Sequence, residues 1–182
     1  MVDDLDALSA RWASPKPHAL AVLFCDNSGA DFVLGMLPFA RALLQRGGRV
    51  ILAANSVASI NDVTAEELNA FLPRAAAIDS DLAAALADGR LRVIASGSDL
   101  PVIDLRRISP ELAAAAADAD LVVLEGMGRG IESNLRAEFT REVLCLGMIK
   151  HAEVALAQQT PGGPVPPLFG CVCRYSPAPV AE

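Results

Sequence analysis

The chain has 182 residues, 53% of them hydrophobic, and a formal net charge of −7. That length fits one domain able to bury about two-thirds of its surface, and the acidic balance argues against nucleic acid or an anionic membrane as the main partner. No apolar run approaches the roughly 18 residues of a membrane span, and the opening MVDDLDALSA lacks the basic and apolar regions of a signal peptide.

Residues 1–18 contain SPKPH and read as an N-terminal arm with a short helix over 4–12. Residues 19–25, ALAVLFC, are mostly apolar and stop abruptly at Asp26-Asn27-Ser28-Gly29. Such a run predicts a strand buried on both faces, the signature of a parallel sheet. The amphipathic stretch 30–46 predicts a helix with a kink or break at Pro38 and an end at Gly47-Gly48. A second strand over 49–54 runs into Asn55-Ser56. Thr64-Ala65-Glu66-Glu67 has the outline of a capping box displaced by one residue, ahead of helices over 65–72 and 75–88. A third strand, 91–95, leads into Ser96-Gly97-Ser98, followed by an irregular connection over 101–108 and a helix over 110–117. The fourth, 120–124, ends in Glu125-Gly126-Met127-Gly128-Arg129-Gly130. Beyond it a long helical region is predicted over 131–158, then a surface turn at PGGPVPP, a last strand over 168–175 and a tail over 176–182. The expected domain is 19–175, an α/β fold. Strands alternating with helices give a three-layer α/β/α sandwich around a mainly parallel sheet of about five strands.

In a parallel sheet the polar turns after these four strands share the C-terminal edge, where ligands of open α/β sheets bind. Asp26 and Asn27 offer oxygen ligands to a hard divalent cation, or else the segment caps the next helix. The glycines of GMGRG let backbone approach an anion, and Arg129 adds bidentate contact to phosphate; a plain glycine turn is the alternative. Thirteen of the fifteen basic residues are arginine, and the lysines are Lys16 and Lys150. Lys150, read as part of an apolar helix LCLGMIKHAEVAL, is either an ammonium kept for a phosphate oxygen or a snorkelling surface lysine. His18 and His151 receive no metal role. The four cysteines form no CxxC and read as reduced thiols of a cytoplasmic protein, with Cys171 and Cys173 sharing one face of a strand as core residues.

Four segments in order, FCDNSGADFVLGMLPFARALLQRG, ILAANSVASINDVTAEE, DLVVLEGMGRGIESN and VLCLGMIKHAEVA, resemble the metal-dependent damage-control phosphatases (domain of unknown function 89). The likeness covers about residues 20–175 and is strongest to the phosphatase domain fused to the pantothenate-kinase-like protein of animals and plants. It implies that Asp26, Asn27 and Asp62 coordinate a divalent cation, Mg²⁺, Mn²⁺, Co²⁺ or Ni²⁺. It places Gly126, Met127, Gly128, Arg129 and Lys150 on the phosphate side, with Asn55 lining the same site and Asn134 on the substrate, next to Leu135 where an aromatic is expected. Asp26 and Lys150 are the implied catalytic pair.

The implied reaction is hydrolysis of phosphate monoesters of small metabolites, 4′-phosphopantetheine or its damaged forms first and sugar phosphates second. The alternative is a non-catalytic module that senses a phosphorylated metabolite. Family members carry a helical domain ahead of this core, whereas about eighteen residues precede the first strand here. An open site with broad activity is therefore expected, or a homodimer whose contact lies near the C-terminal edge of the sheet.

Overall fold

Six short apolar segments pair into one sheet: β1 (Leu20–Phe24), β2 (Arg49–Ala54), β3 (Leu91–Ala95), β4 (Leu121–Glu125), β5 (Glu142–Met148) and β6 (Cys171–Ser176). The structure, a computed structural model, describes residues 2–179; residues 180–182 of the expected tail lie outside the described residues. Strand order is β3-β2-β1-β4-β5-β6. The first five strands run parallel and β6 pairs antiparallel with β5. Every residue of β1 is buried, as its uniform apolarity requires. Its side chains alternate between two cores: Ala21 and Leu23 join one, and Leu20, Val22 and Phe24 the other.

Helices cover both faces. On one side Leu43 of α2 (Leu37–Gln45), Leu68 of α3 (Ala65–Ala76) and Leu82 of α4 (Ser80–Ala87) pack in the core of Leu23. On the other, Leu112 of α5 (Pro110–Ala115), Ile131 and Val154 of α6 (Ala152–Ala157) pack in the core of Val22. The result is the expected three-layer α/β/α sandwich, with six strands rather than about five. Among the described residues no helix is long and apolar enough to cross a membrane.

The added strand comes from the region expected to be helical over 131–158. Instead, a π-helical turn (Met127–Glu132) precedes β5, and only α6 is helical thereafter. Val143, Leu144 and Cys145 are buried in succession, so a strand covered on both faces presents the same apolar run as a buried helix. Lys150 consequently sits in the loop beyond β5, exposed, and not within a helix.

The kink expected at Pro38 takes the form of a π-helical turn, Phe32–Met36, in which Leu37 N donates to Phe32 O, five residues back. Pro38 follows directly in a helix that runs on from this turn without a break, so the wider turn accommodates the i−4 bond that Pro38 cannot make. The capping box is in register, with no displacement: Thr64 Oγ1 accepts from Glu67 N at 3.2 Å, and Glu67 Oε2 accepts from Thr64 N at 2.8 Å.

α1 (Leu5–Ala13) buries no residue fully, but its Leu8 and Trp12 pack partly buried against the core. Asp4 N donates to Cys173 O at 2.8 Å, and Trp12 stacks on Phe39 with centroids 5.4 Å apart. Arg11 Nε lies 2.9 Å from Glu142 Oε2, which also accepts from Tyr175 OH at 3.0 Å and pairs with His18 Nε2 at 2.8 Å. Burial alone would push the Glu142 carboxyl up. The bonds from His18, Arg11 and Tyr175 outweigh it and hold the group below its ordinary value.

Candidate active site

β1 and β4 are adjacent at the centre of the sheet, and the chain leaves them toward opposite flanks, so a crevice opens beyond their C-terminal ends. Asp26 follows β1 directly. Its backbone N–H donates to Glu125 Oε2 at 2.7 Å, which ties the end of β4 to it. The loop after β2 folds back over the same place. Val63 N donates to Asp26 O at 2.7 Å, Asn27 bridges Asp62, and Asn55 bridges Thr64. This return is what brings Asp62, distant in sequence, beside Asp26.

Gly126 has φ 101°, and a Cβ at that position would run into the Asp26 carboxyl. A side chain there is excluded twice, by conformation and by space.

The crevice holds a cavity of about 540 Å³. Its polar wall is formed by Asp26, Asn27, Asp31, Glu125, Gly126 and Lys150. The rest of the lining is largely apolar, with Met36, Phe39, Met127, Leu146 and Met148, and it also includes Cys171. Cys171 is therefore exposed toward the cavity and not a core residue; Cys173, next but one along β6, is buried as expected.

Carboxylate oxygens of Asp26, Asp31 and Glu125 lie within 4.8 Å of one another, close enough to share one metal ion. Burial pushes the Glu125 carboxyl up to about 8, helped by the Asp31 and Asp26 charges and opposed by its bond from the Asp26 amide. Burial likewise raises Asp26 to about 6; Arg129 and Lys150 pull it down while Asp62 and Asp31 push it up. Asn27 Nδ2 donates to Asp31 Oδ2 at 2.7 Å, holding that carboxylate at the rim.

Behind this wall lies a buried ring around Arg129, whose side chain is 2% exposed. Nη1 donates to Asp26 Oδ1, and Nη2 donates to Asn55 Oδ1 at 2.9 Å and lies 3.5 Å from Asp62 Oδ2. Asn55 Nδ2 donates to Asp62 Oδ2 at 3.2 Å, and Asn134 Nδ2 donates to Arg129 O at 2.8 Å. Of the residues singled out in the sequence, Asp26, Asn27, Gly126, Met127 and Lys150 line the cavity. Asn55, Asp62, Arg129 and Asn134 form the ring behind them, and Gly128 packs against the Pro101 carbonyl.

Sequence reasoning left Asp31 and Glu125 off the site. The signal for Glu125 is a charge closing an apolar strand, LVVLE, beside the strand that ends at Asp26. Asp31 carries no signal of its own. It reads as an ordinary first-turn acid, favourable to the helix dipole.

A crystal structure of a DUF89 family protein from Pyrococcus horikoshii shares this fold, with TM-score 0.62 and 21% identity over 94% of this chain and 51% of that one. The chain also matches the ARMT1-like damage-control phosphatase domain over residues 1–163. It is 48% identical to a damage-control phosphatase of Arabidopsis thaliana over 176 residues, 97% of this chain and 46% of the relative. To the 4′-phosphopantetheine phosphatase of Mus musculus it is 33% identical over 224 residues, 96% of this chain and 26% of that protein. This chain belongs to the ARMT1-like damage-control phosphatase domain family. It spans less than half the length of these curated relatives.

Proposed function

We propose that the chain is a metal-dependent phosphatase acting on phosphate monoesters of small metabolites. One cavity carries this proposal: three mutually close carboxylates and the Lys150 side chain share its wall. Asp26 and Asn27 would hold the cation, with Asp62 as the third ligand that the family resemblance implies and Asp31 and Glu125 adding negative charge from the cavity side. Four carboxylates, Asp26, Asp31, Asp62 and Glu125, face two cationic side chains, Arg129 and Lys150. Fully ionised, that set leaves two negative charges uncompensated, which fits a dication. All donors are oxygens, which suits Mg²⁺ or Mn²⁺, and the resemblance adds Co²⁺ and Ni²⁺.

A cation bound there supplies Lewis-acid polarisation of the phosphoryl oxygens. The rest falls to the chain's own groups. Lys150 holds a phosphate oxygen as a compact point charge and offsets charge that builds up during transfer. Arg129, turned toward carboxylates, acts as a positioning residue for Asp26 and Asp62, and Asn55 completes that ring. Gly126 and Met127 let backbone approach the ester, while Asn134 fixes the turn that carries them.

The name of the mouse relative supports 4′-phosphopantetheine or its damaged forms as substrate, with sugar phosphates second. The apolar wall of Met36, Phe39 and Met148 suits a long leaving group of little charge. A cytoplasmic location, in keeping with free cysteines, and a homodimer contact at the same edge complete the proposal. Phosphate release from p-nitrophenyl phosphate is expected with added divalent cation and is expected to vanish in EDTA. Full turnover by metal-stripped protein overturns the proposal; 4′-phosphopantetheine and sugar phosphates in the same assay rank the substrates.

A further inference from the structure

A second cavity, of about 310 Å³, lies on the other face of the ribbon formed by β5 and β6. Successive side chains along a strand point to opposite faces, and the end of this ribbon divides accordingly. Met148, Lys150 and Cys171 line the cavity of the candidate active site, whereas Ile149, Val172 and Arg174 line the second one. The two cavities therefore stand back to back.

The floor of the second cavity is apolar and closed: Leu135, Ile149 and Val172 are 5%, 1% and 4% exposed. Pro164 and Pro166, in the stretch between α6 and β6, form part of its wall. Each proline fixes its own φ, so that part of the wall is ordered in advance and costs little entropy when something binds.

Three polar groups here are left largely free by the fold. Arg136 and Arg174 both line the cavity. Among the described residues no carboxylate lines it, and neither arginine forms an ion pair. The positive sign is local, since the chain as a whole carries a net charge of −7. Gln158, which closes α6, lines the cavity as well. Its Oε1 is the one buried side-chain oxygen or nitrogen among the described residues with no hydrogen-bond partner. A buried acceptor left unpaired is costly, and folded proteins leave few of them without a reason. Gln158 Nε2 reaches only Ile131 O, at 3.5 Å, so the amide is lightly held and free to turn its oxygen toward a donor in the cavity.

We propose that this cavity binds a small carboxylic acid. Its carboxylate takes the guanidinium forks of Arg136 and Arg174. An N–H or O–H elsewhere on the acid donates to Gln158, and a short branched hydrocarbon body covers Leu135, Ile149 and Val172. Phosphate is a poorer match, because among the described residues no glycine and no helix N-terminus lines the cavity to cradle it. The volume stands at the small end of ligand pockets, which run from about 300 to 1,000 Å³, and this limits the acid to a small one. The site goes beyond the phosphatase reading and does not rest on it.

N-acetylvaline carries all three features and serves as the probe. In proton–nitrogen correlation spectra of the protein in EDTA it is expected to shift the amide signals of Gln158, Val172 and Arg174, with a Kd of about 1 mM. N-acetylvalinamide, the same molecule without the charge, is expected to bind at least tenfold more weakly, and so is inorganic phosphate. Arg136→Gln and Arg174→Gln are each expected to weaken N-acetylvaline at least tenfold with the melting temperature unchanged. Gln158→Leu is expected to weaken N-acetylvaline but not isovalerate, which has no N–H to donate. Lys150→Gln, in the other cavity, is expected to leave N-acetylvaline binding unchanged. Absence of any shift at about 20-fold the expected Kd overturns the proposal. Equal binding of the acid and its amide overturns it too, as does phosphate binding as tightly as the acid. Binding that survives both arginine substitutions and fails in Lys150→Gln places the acid in the other cavity and overturns it as well.

Discussion

Two cations at one site divide their work according to where the backbone puts them. Arg129 is enclosed by Asp26, Asp62 and Asn55, so its fork is fully used in holding carboxylates. Lys150 stands exposed on the cavity wall, and among the described residues it forms no ion pair with a carboxylate. Lys150→Arg is therefore expected to lower kcat by roughly tenfold or more despite conserving charge, because a planar fork replaces a point donor. Arg106→Lys, at a surface arginine paired with Asp104, is expected to change kcat by less than about twofold. Equal activity in the two variants would return Lys150 to a surface role. Asp26→Asn is expected to abolish turnover nearly completely and leave the fold intact, since Arg129 keeps Asp62 and Asn55 as partners; circular dichroism beside a phosphate assay checks both halves. At this scale the sequence was informative where residue type is unusual for its place. Asp26, Asn27 and Glu125 stand at the ends of apolar strands, and Lys150 is one of two lysines. The ring around Arg129 was not legible, because it depends on a loop return that sets Asp62 beside Asp26.

Elements were legible in proportion to how far they advertise one period. β1 and β2 are apolar runs closed by turn residues, and α3 opens with a capping box, so both kinds of signal survive without tertiary information. β5 is buried on both faces over Val143, Leu144 and Cys145 and is followed by a short helix, which made one long helix the simpler reading of 131–158. What distinguishes it is Glu142 at its start, a carboxylate whose partners come from α1, the approach to β1, and β6. Glu142→Gln keeps shape and loses the charge that Arg11 and His18 address. It is expected to destabilise the protein by about 1–3 kcal/mol, the scale of hydrogen bonds to a charged group. The pH dependence follows from its lowered folded value. Folded Glu142 binds fewer protons than the unfolded chain below its ordinary 4.5, so its contribution is complete above that pH and is lost as pH falls through the folded value. Urea titrations at pH 6 and pH 3.5 check this: the gap between wild type and Glu142→Gln is expected to shrink at the lower pH. A gap that stays constant would show that the charge contributes nothing.

At the scale of the whole molecule the site contributes its own pH dependence to stability, and the sign is opposite to that of Glu142. Asp26 and Glu125 are raised by burial, to about 6 and about 8. The metal-free folded chain therefore retains protons that the unfolded chain has already released. Between the ordinary carboxylate range and those raised values, metal-free stability must fall as pH rises, by on the order of a few kcal/mol for the two groups together. A cation held by these oxygens needs them ionised, so it competes with protons and binds more tightly as pH rises. Thermal melts across pH 5 to 8.5 separate the two effects. In EDTA the melting temperature is expected to decline over that range. Saturating Mg²⁺ or Mn²⁺ is expected to raise it little near pH 5 and most near pH 8, because binding to the native state alone stabilises in proportion to affinity. Glu125→Gln is expected to flatten the decline seen in EDTA, since it removes the higher of the two raised groups. A cation-induced shift of equal size at both ends of the range would mean that the ion is held elsewhere than on these carboxylates.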